Sequence, residues 1–382
     1  MKNPTTETIM IKSGCAADCR RYLRERFGNG YAVVCDGNTK PLALRAFPGD
    51  ALIVFPAGSH ATELEAAGCA ERIRADRLRC LVACGSGSVH DITRYASHAE
   101  GIPFVSFPTA ASVDGFVSGV AAMTWHGRKV TFPSTPPIAL FADDDVYSTA
   151  PRELLASGVG DIVGKYVSLF DWVFASLVSQ ETVEEEIYKL EYDALNTVMH
   201  EDIKSPDYLH SVMDCLVKSG LAIQLKGSSR PASGAEHHLS HLWEMNCIGT
   251  PAHAYHGEQV GVSTLLVLSR YKERRIPVFR PKPLDRELLL PVYKGLTDGI
   301  IEENTPDSLS GISQQLLDER ASQITALIDS LPSSDSIREY LRSVGAKTSL
   351  SELGLPDTAE FAEKSLDWAP YVRQRLTYLK VI

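Results

Sequence analysis

Cys80-Leu-Val-Ala-Cys84-Gly85-Ser-Gly87-Ser88-Val-His90-Asp91 is an apolar run that does not alternate, ends on closely spaced glycines and passes straight into a helical pattern. A strand without polar alternation is covered on both faces, which is the condition of a parallel sheet flanked by helices. The segments 30–36, 51–55 and 103–107 repeat the pattern, each closed by Asp, Gly or Pro, and helical spacing over 16–27, 61–76 and 89–99 separates them. Two further runs, 120–125 and 129–132, read as a hairpin turning through His126-Gly-Arg128, and 138–142 reads as one more strand. Beyond Pro151 the strand signal fades, and 162–178, 182–200, 211–225, 236–247, 258–271, 317–330 and 336–344 carry helical periodicity. The fold expected is an α/β N-terminal domain with a parallel sheet over residues 1–150, followed by an all-α domain over 151–382.

The glycine turn has a chemical meaning as well. Gly85 and Gly87 permit a tight strand-to-helix turn in which bare backbone N–H groups and the positive helix end can meet a diphosphate, with Ser88 and Asp91 on the first turn of the helix. A full Gly-x-Gly-x-x-Gly fingerprint is absent, because His90 stands where its third glycine would be. A second polar loop, Pro108-Thr109-Ala-Ala-Ser112-Val-Asp114-Gly115, also follows a strand, so both loops leave the same carboxyl edge of the sheet. Asp36 ends an earlier strand at that edge, where it can accept from a ribose hydroxyl or simply terminate the strand before Gly37. The N-terminal domain is therefore expected to bind a nucleotide.

The helical half carries a different signal. Five of the eleven histidines, His237, His238, His241, His253 and His256, fall within twenty positions. His237 and His241 stand one helical turn apart on one face, so one or both can bind an ion. His256, just before a glycine, and Asp161, in Gly158-Val-Gly-Asp161, can complete an open site of two histidines and a carboxylate. Asp161 and Lys165 also have the spacing of an ordinary helical ion pair. His-Glu-x-x-His is absent, since His238 follows His237, so the general base of a zinc protease is missing.

Composition sets the frame. The chain of 382 residues is 44% hydrophobic, enough for two cores, and its formal charge of −10 argues against nucleic acid or an anionic membrane surface as a partner. Eight scattered cysteines without a repeating framework suit reduced thiols in a cytoplasm. No apolar run approaches a membrane span, and the first residues lack the apolar core of an export signal, so no membrane insertion is expected.

The glycine turn, the Thr-x-x-Ser-x-Asp-Gly loop, Gly-x-Gly-Asp, His-x-x-x-His and His-Gly-Glu occur in an order that resembles the family of iron-containing alcohol dehydrogenases, glycerol dehydrogenases and dehydroquinate synthases. The resemblance spans roughly 30–270, and Ser-Arg-Pro-Ala-Ser-Gly-Ala-Glu-His looks most like its branch acting on glycerol 1-phosphate. It implies metal-dependent, NAD(P)H-linked reduction of dihydroxyacetone phosphate. By position it implies NAD(H) or NADP(H) on Gly85, Gly87, Ser88, Asp91, Thr109, Ser112 and Ser118, with Asp36 as the ribose candidate, and substrate on Asp114. It implies one zinc, nickel or iron ion on Asp161, His237 and His256, with His241 facing the substrate and either His241 or a metal-bound water supplying the proton. His237 is preferred to His238 because it shares a face with His241, whereas His238 points about 100° away. A homodimer is implied by the resemblance alone. For the substrate phosphate, Arg230 is the candidate cation, with Lys165 and Lys226 behind it.

Two other enzyme readings share the scaffold. A glycerol dehydrogenase would act on the unphosphorylated polyol, and a dehydroquinate-synthase-like lyase would need several cations around its substrate, which the Arg-poor loop 108–118 does not offer. A sensor that keeps the fold without catalysis is countered by the complete set of ligands and the glycine turn.

Overall fold

A computed structural model describes residues 4–249 and 254–382, and His253 lies outside the described residues. The chain forms two compact units, Met1–Gly158 with Asp193–Ser229, and Val159–Tyr192 with Arg230–Ile382. Where the sequence reading put one break at 150/151, the chain thus leaves the first unit inside the helix Arg152–Val163 and later returns to it.

The first unit is built on a six-stranded, all-parallel sheet. Its strands are β1 (Thr8–Ile11), β2 (Tyr31–Asp36), β3 (Leu52–Phe55), β4 (Cys80–Gly85), β5 (Phe104–Pro108) and β8 (Ala139–Ala142). They lie in the order β1-β8-β5-β4-β2-β3. Alternate residues of the central strands feed separate cores: Val33, Val82 and Val105 face one with Leu23 and Phe47, while Val34, Leu81 and Ala83 face the other with Ile73 and Ile92. This two-sided burial is what the unalternating runs signalled. The chain leaves β2 toward β3 on one side and reaches β4 on the other, so the strand order reverses between β2 and β4. Ligands of open α/β sheets bind beyond the carboxyl ends at such a point.

The hairpin is β6 (Val120–Trp125) paired antiparallel with β7 (Arg128–Pro133). Its two-residue turn, His126-Gly127, has positive φ at both positions, the mirror-image turn that matches strand twist. The strand β1 and the short helix Lys40–Ala46 were not read from the sequence. β1 has only four residues of mixed exposure, and Pro41 breaks the helical pattern of the other.

The second unit is helical. The expected helix over 162–178 is two helices, Arg152–Val163 and Lys165–Val178, interrupted at Gly164. The helices Ala235–Glu244 and His256–Glu273 pack against each other. No described helix is long and apolar enough to cross a membrane.

Candidate active site

In the first unit, β4 ends on Gly85, level with Pro108 of β5, and the helix Gly87–Ala99 starts two residues later. A Cβ on Gly85 would sit 2.6 Å from the Val89 side chain, so only glycine lets the helix start this close to the strand. Thr109 N–H donates to the Gly85 carbonyl at 3.0 Å, and the Ser86 and Ser112 hydroxyls meet at 2.6 Å, tying the two polar loops together. His90, in place of the fingerprint's third glycine, is buried beneath the turn. Its Nδ1–H donates to the Ser86 carbonyl at 3.0 Å and its Nε2 lies 2.8 Å from the Ser106 hydroxyl. Burial first, and then Arg94, push its pKa down to about 3, so it is a neutral strut.

Asp91 receives the buried Arg94 guanidinium at 2.6 Å, and Arg94 also donates to the Gly115 carbonyl. Ser118 donates to the Val120 carbonyl, and Asp114 accepts from Ser219 at 3.0 Å. A Cβ on Gly220 would stand 2.6 Å from the Asp114 carbonyl, so the helix Tyr208–Lys226 lies directly on this loop. Asp36 bonds Thr39 N–H and hydroxyl and reaches Gly58 N–H at 3.3 Å, the strand-ending turn foreseen as its simpler role.

In the second unit three predicted residues converge. His237 Nε2 is 3.6 Å from Asp161 Oδ1, and the His237 and His256 rings are 5.3 Å apart between centroids. Ligand atoms on one tetrahedral ion with bonds near 2.0–2.1 Å stand about 3.4 Å apart, so the first pair already has the right separation. Each imidazole is held from behind by a carboxylate. Glu236 Oε1 is 2.7 Å from His237 Nδ1, and Glu244 Oε1 is 2.9 Å from His256 Nδ1. Both Nδ1 atoms are thereby donors, which leaves Nε2 as the atom that can bind an ion. The donor chemistry of this cluster therefore fits a divalent metal.

Asp161 is fully buried, which opposes its charge, but Lys165 at 2.9 Å, His237 and His256 outweigh burial and hold its carboxyl below the usual carboxylate range. The helical ion pair foreseen for Asp161 and the ligand geometry thus coexist. His241 stacks on His256 with centroids 5.7 Å apart, and its Nδ1 is buried without a protein partner. Burial, the largest cause, and Arg373 among the nearby cations hold it well below its ordinary pKa against the pull of Glu244, so it is neutral. His238 is buried on another side of the same helix.

Two residues escaped the sequence reading. His241, Glu244 and His256 offer ligand-type atoms within 4.8 Å of one another, and Glu236 orients His237. Glu244 was detectable, since 237, 241 and 244 fall on one helix face. Arg230 requires a correction as the phosphate partner. It is only 3% exposed, its Nε donates to Glu181 at 2.7 Å, and Nη2 donates to the Asp171 and Leu376 carbonyls. It is a buried brace. Lys165 is likewise committed to Asp161 and the Ala232 carbonyl.

Residues 10–151 match the family model of iron-containing alcohol dehydrogenase. The chain is 38% identical over 309 residues to a glycerol-1-phosphate dehydrogenase [NAD(P)+] of Geobacillus thermodenitrificans, covering 78% of this chain and 70% of that one. The chain belongs to the glycerol-1-phosphate dehydrogenase family. Its Bacillus subtilis member is 28% identical, with 98% and 91% of the two chains covered. The fold is similar to that of a probable glycerol dehydrogenase from Sinorhizobium meliloti, with a TM-score of 0.66 at 16% identity over 98% of this chain and 96% of that one.

Proposed function

We propose that this member of the family reduces dihydroxyacetone phosphate to sn-glycerol 1-phosphate with NADH or NADPH, reversibly, and with one divalent metal ion. The observation that carries the reading is the pair of histidines, each with Nδ1 held by a glutamate, with His237 Nε2 3.6 Å from Asp161. Asp161, His237 and His256 would hold the ion, which can be zinc, nickel or iron. When bound, such an ion polarises a carbonyl oxygen, and the nicotinamide supplies the hydride.

The residues do the rest. Lys165 keeps Asp161 ionised, and Glu236 and Glu244 fix the tautomers of the two ligand histidines. As hydride adds to the carbonyl carbon, the carbonyl oxygen must take up one proton, and His241, kept neutral by its burial, can pass one on as a relay, giving up the proton of one ring nitrogen while the other takes one from water. In the first unit, the backbone of Gly85, Gly87 and Ser88, with Thr109, Ser112 and Ser118, is assigned to the dinucleotide, and the Arg94 link holds Asp91 and the loop in register. Asp114 is assigned to substrate and Asp36 to the ribose. A cytoplasmic homodimer completes the reading, and sedimentation tests its assembly.

The direct test follows NADH absorbance with metal-loaded enzyme and either dihydroxyacetone phosphate or dihydroxyacetone. Oxidation with the phosphate ester and not with the free ketone supports the proposal. The reverse moves the protein to a polyol dehydrogenase, and turnover of substrate without net NADH consumption would favour the lyase reading.

A further inference from the structure

The helix Ala235–Glu244, which carries His237 and His241, starts at Gly234 without a side chain of its own to cap it. The short helix Tyr378–Val381, well beyond the reach of the family resemblance, likewise starts at Thr377 without one. The first N–H groups of a helix have no partner inside it, and buried ones must find an acceptor elsewhere. Both helices find the same one. Asp171 Oδ2 accepts from Ala235 N–H at 2.9 Å, and Asp171 Oδ1 accepts from Tyr378 N–H at 2.9 Å.

A third donor joins them. The Tyr271 hydroxyl donates to Asp171 Oδ1 at 2.8 Å and accepts from Leu379 N–H at 3.3 Å, and Tyr271 lies on the helix His256–Glu273, whose first residue is a candidate ligand. Asp171 sits on the helix Lys165–Val178, whose first residue, Lys165, bonds Asp161. One fully buried carboxyl therefore links the helix that holds Asp161 to the helices bearing both ligand histidines. The approach is close: a Cβ on Gly234 would stand 2.7 Å from Asp171 Oδ2 and 2.9 Å from Ser168 Cα, so this helix start has no room for a residue that could cap itself. Arg230 closes the arrangement by donating to the Asp171 and Leu376 carbonyls. The bonds of Asp171 go to the helices and not to the ligands, so its effect passes through them.

We propose that Asp171 is a positioning residue for the metal cluster, setting the helix of His237 against the helix of His256 and tying both to the C-terminal segment 376–379. That segment thereby takes a part in metal binding. This rests on the reading of Asp161, His237 and His256 as metal ligands given above.

The test titrates the whole chain with cobalt(II), whose visible absorption reports both affinity and ligand geometry. Asp171→Ala should weaken cobalt binding by about five- to tenfold, the loss of a helix cap expressed as affinity, and should shift the cobalt band. Asp171→Asn keeps one acceptor oxygen and should lose less. Tyr271→Phe removes a hydroxyl and little volume, should move both readouts in the same direction, and serves where the Asp171 variants fail to fold. Tyr293→Phe is the control: it deletes a hydroxyl that donates to the Trp368 carbonyl, and it should lower Tm while cobalt affinity stays within about twofold and the band stays in place. Wild-type affinity and band in both Asp171→Asn and Tyr271→Phe, or an equal loss in Tyr293→Phe, would overturn the positioning role. Hydrogen exchange without metal should show residues 235–238 and 377–379 losing protection together in Asp171→Asn, and loss in one stretch alone would overturn the tie to the C-terminal segment. His237→Ala separates this inference from the reading beneath it. If it abolishes cobalt binding while the Asp171 and Tyr271 variants bind as wild type does, the positioning role fails alone; unchanged binding in His237→Ala would sink the metal reading and the positioning role with it.

Discussion

Gly160 lies against Gly257 backbone to backbone: a Cβ on Gly160 would stand 2.1 Å from the Gly257 carbonyl oxygen. Asp161 and His256 are the chain neighbours of these two glycines, so the contact that excludes a methyl group also brings the carboxylate to the histidine. Because backbone cannot yield as a side-chain tip can, Gly160→Ala should destabilise the fold by about 3 kcal/mol, the upper part of the overpacking range. Thermal unfolding measures this, and metal content should fall in parallel. An alanine variant with unchanged Tm and full metal would contradict the close contact.

The glutamates behind the histidines should be visible in metal affinity before they are visible in activity. Glu236→Ala and Glu244→Ala should each weaken metal binding by about 10–100-fold, the usual cost of losing such a partner. Glutamine retains an acceptor for Nδ1–H and should lose less. Competition with a chromophoric chelator reads both, and alanine variants binding metal as wild type does would remove the orienting role.

Arg94 is a buried guanidinium joining Asp91 to the Gly115 carbonyl, and its charge centre lies 5.5 Å from the Phe104 ring centroid. Arg94→Ala leaves Asp91 without this counter-charge and should cost about 3–5 kcal/mol. The loop carrying Thr109 to Ser118 should loosen with it. Urea unfolding measures the first effect and NADH fluorescence titration the second, where weaker binding is expected.

His90 gives the first unit a defined acid sensitivity. Its folded pKa of about 3 lies below its ordinary 6.5, so below pH 6.5 the unfolded chain binds a proton that the folded chain refuses. Stability contributed by this site is therefore complete above pH 6.5 and falls by about 1.4 kcal/mol per pH unit as the pH drops from there toward 3. Buried His238 and His241 act in the same direction in the second unit. His90→Gln should flatten the acid slope of unfolding free energy, and an unchanged slope would show that His90 is not the group responsible.

The sequence by itself determined the parallel sheet, the glycine turn after β4, the change to helices beyond Pro151 and the identity of the histidines and aspartate of the candidate metal cluster. These were legible because periodicity and spacing are local properties of the chain, fixed by the pitch of a helix and the pleat of a strand. Tertiary structure decided what local spacing does not encode. Glu236 became an orienting group because Gly234 and Gly164 leave it room, with would-be Cβ atoms 2.8 Å and 3.3 Å from its side chain. Arg230 looked like a phosphate anchor until Glu181 and the Asp171 and Leu376 carbonyls, 49, 59 and 146 positions away, enclosed it. The charge of a side chain is written in the sequence, but its freedom to meet a ligand depends on which buried partners have already claimed it.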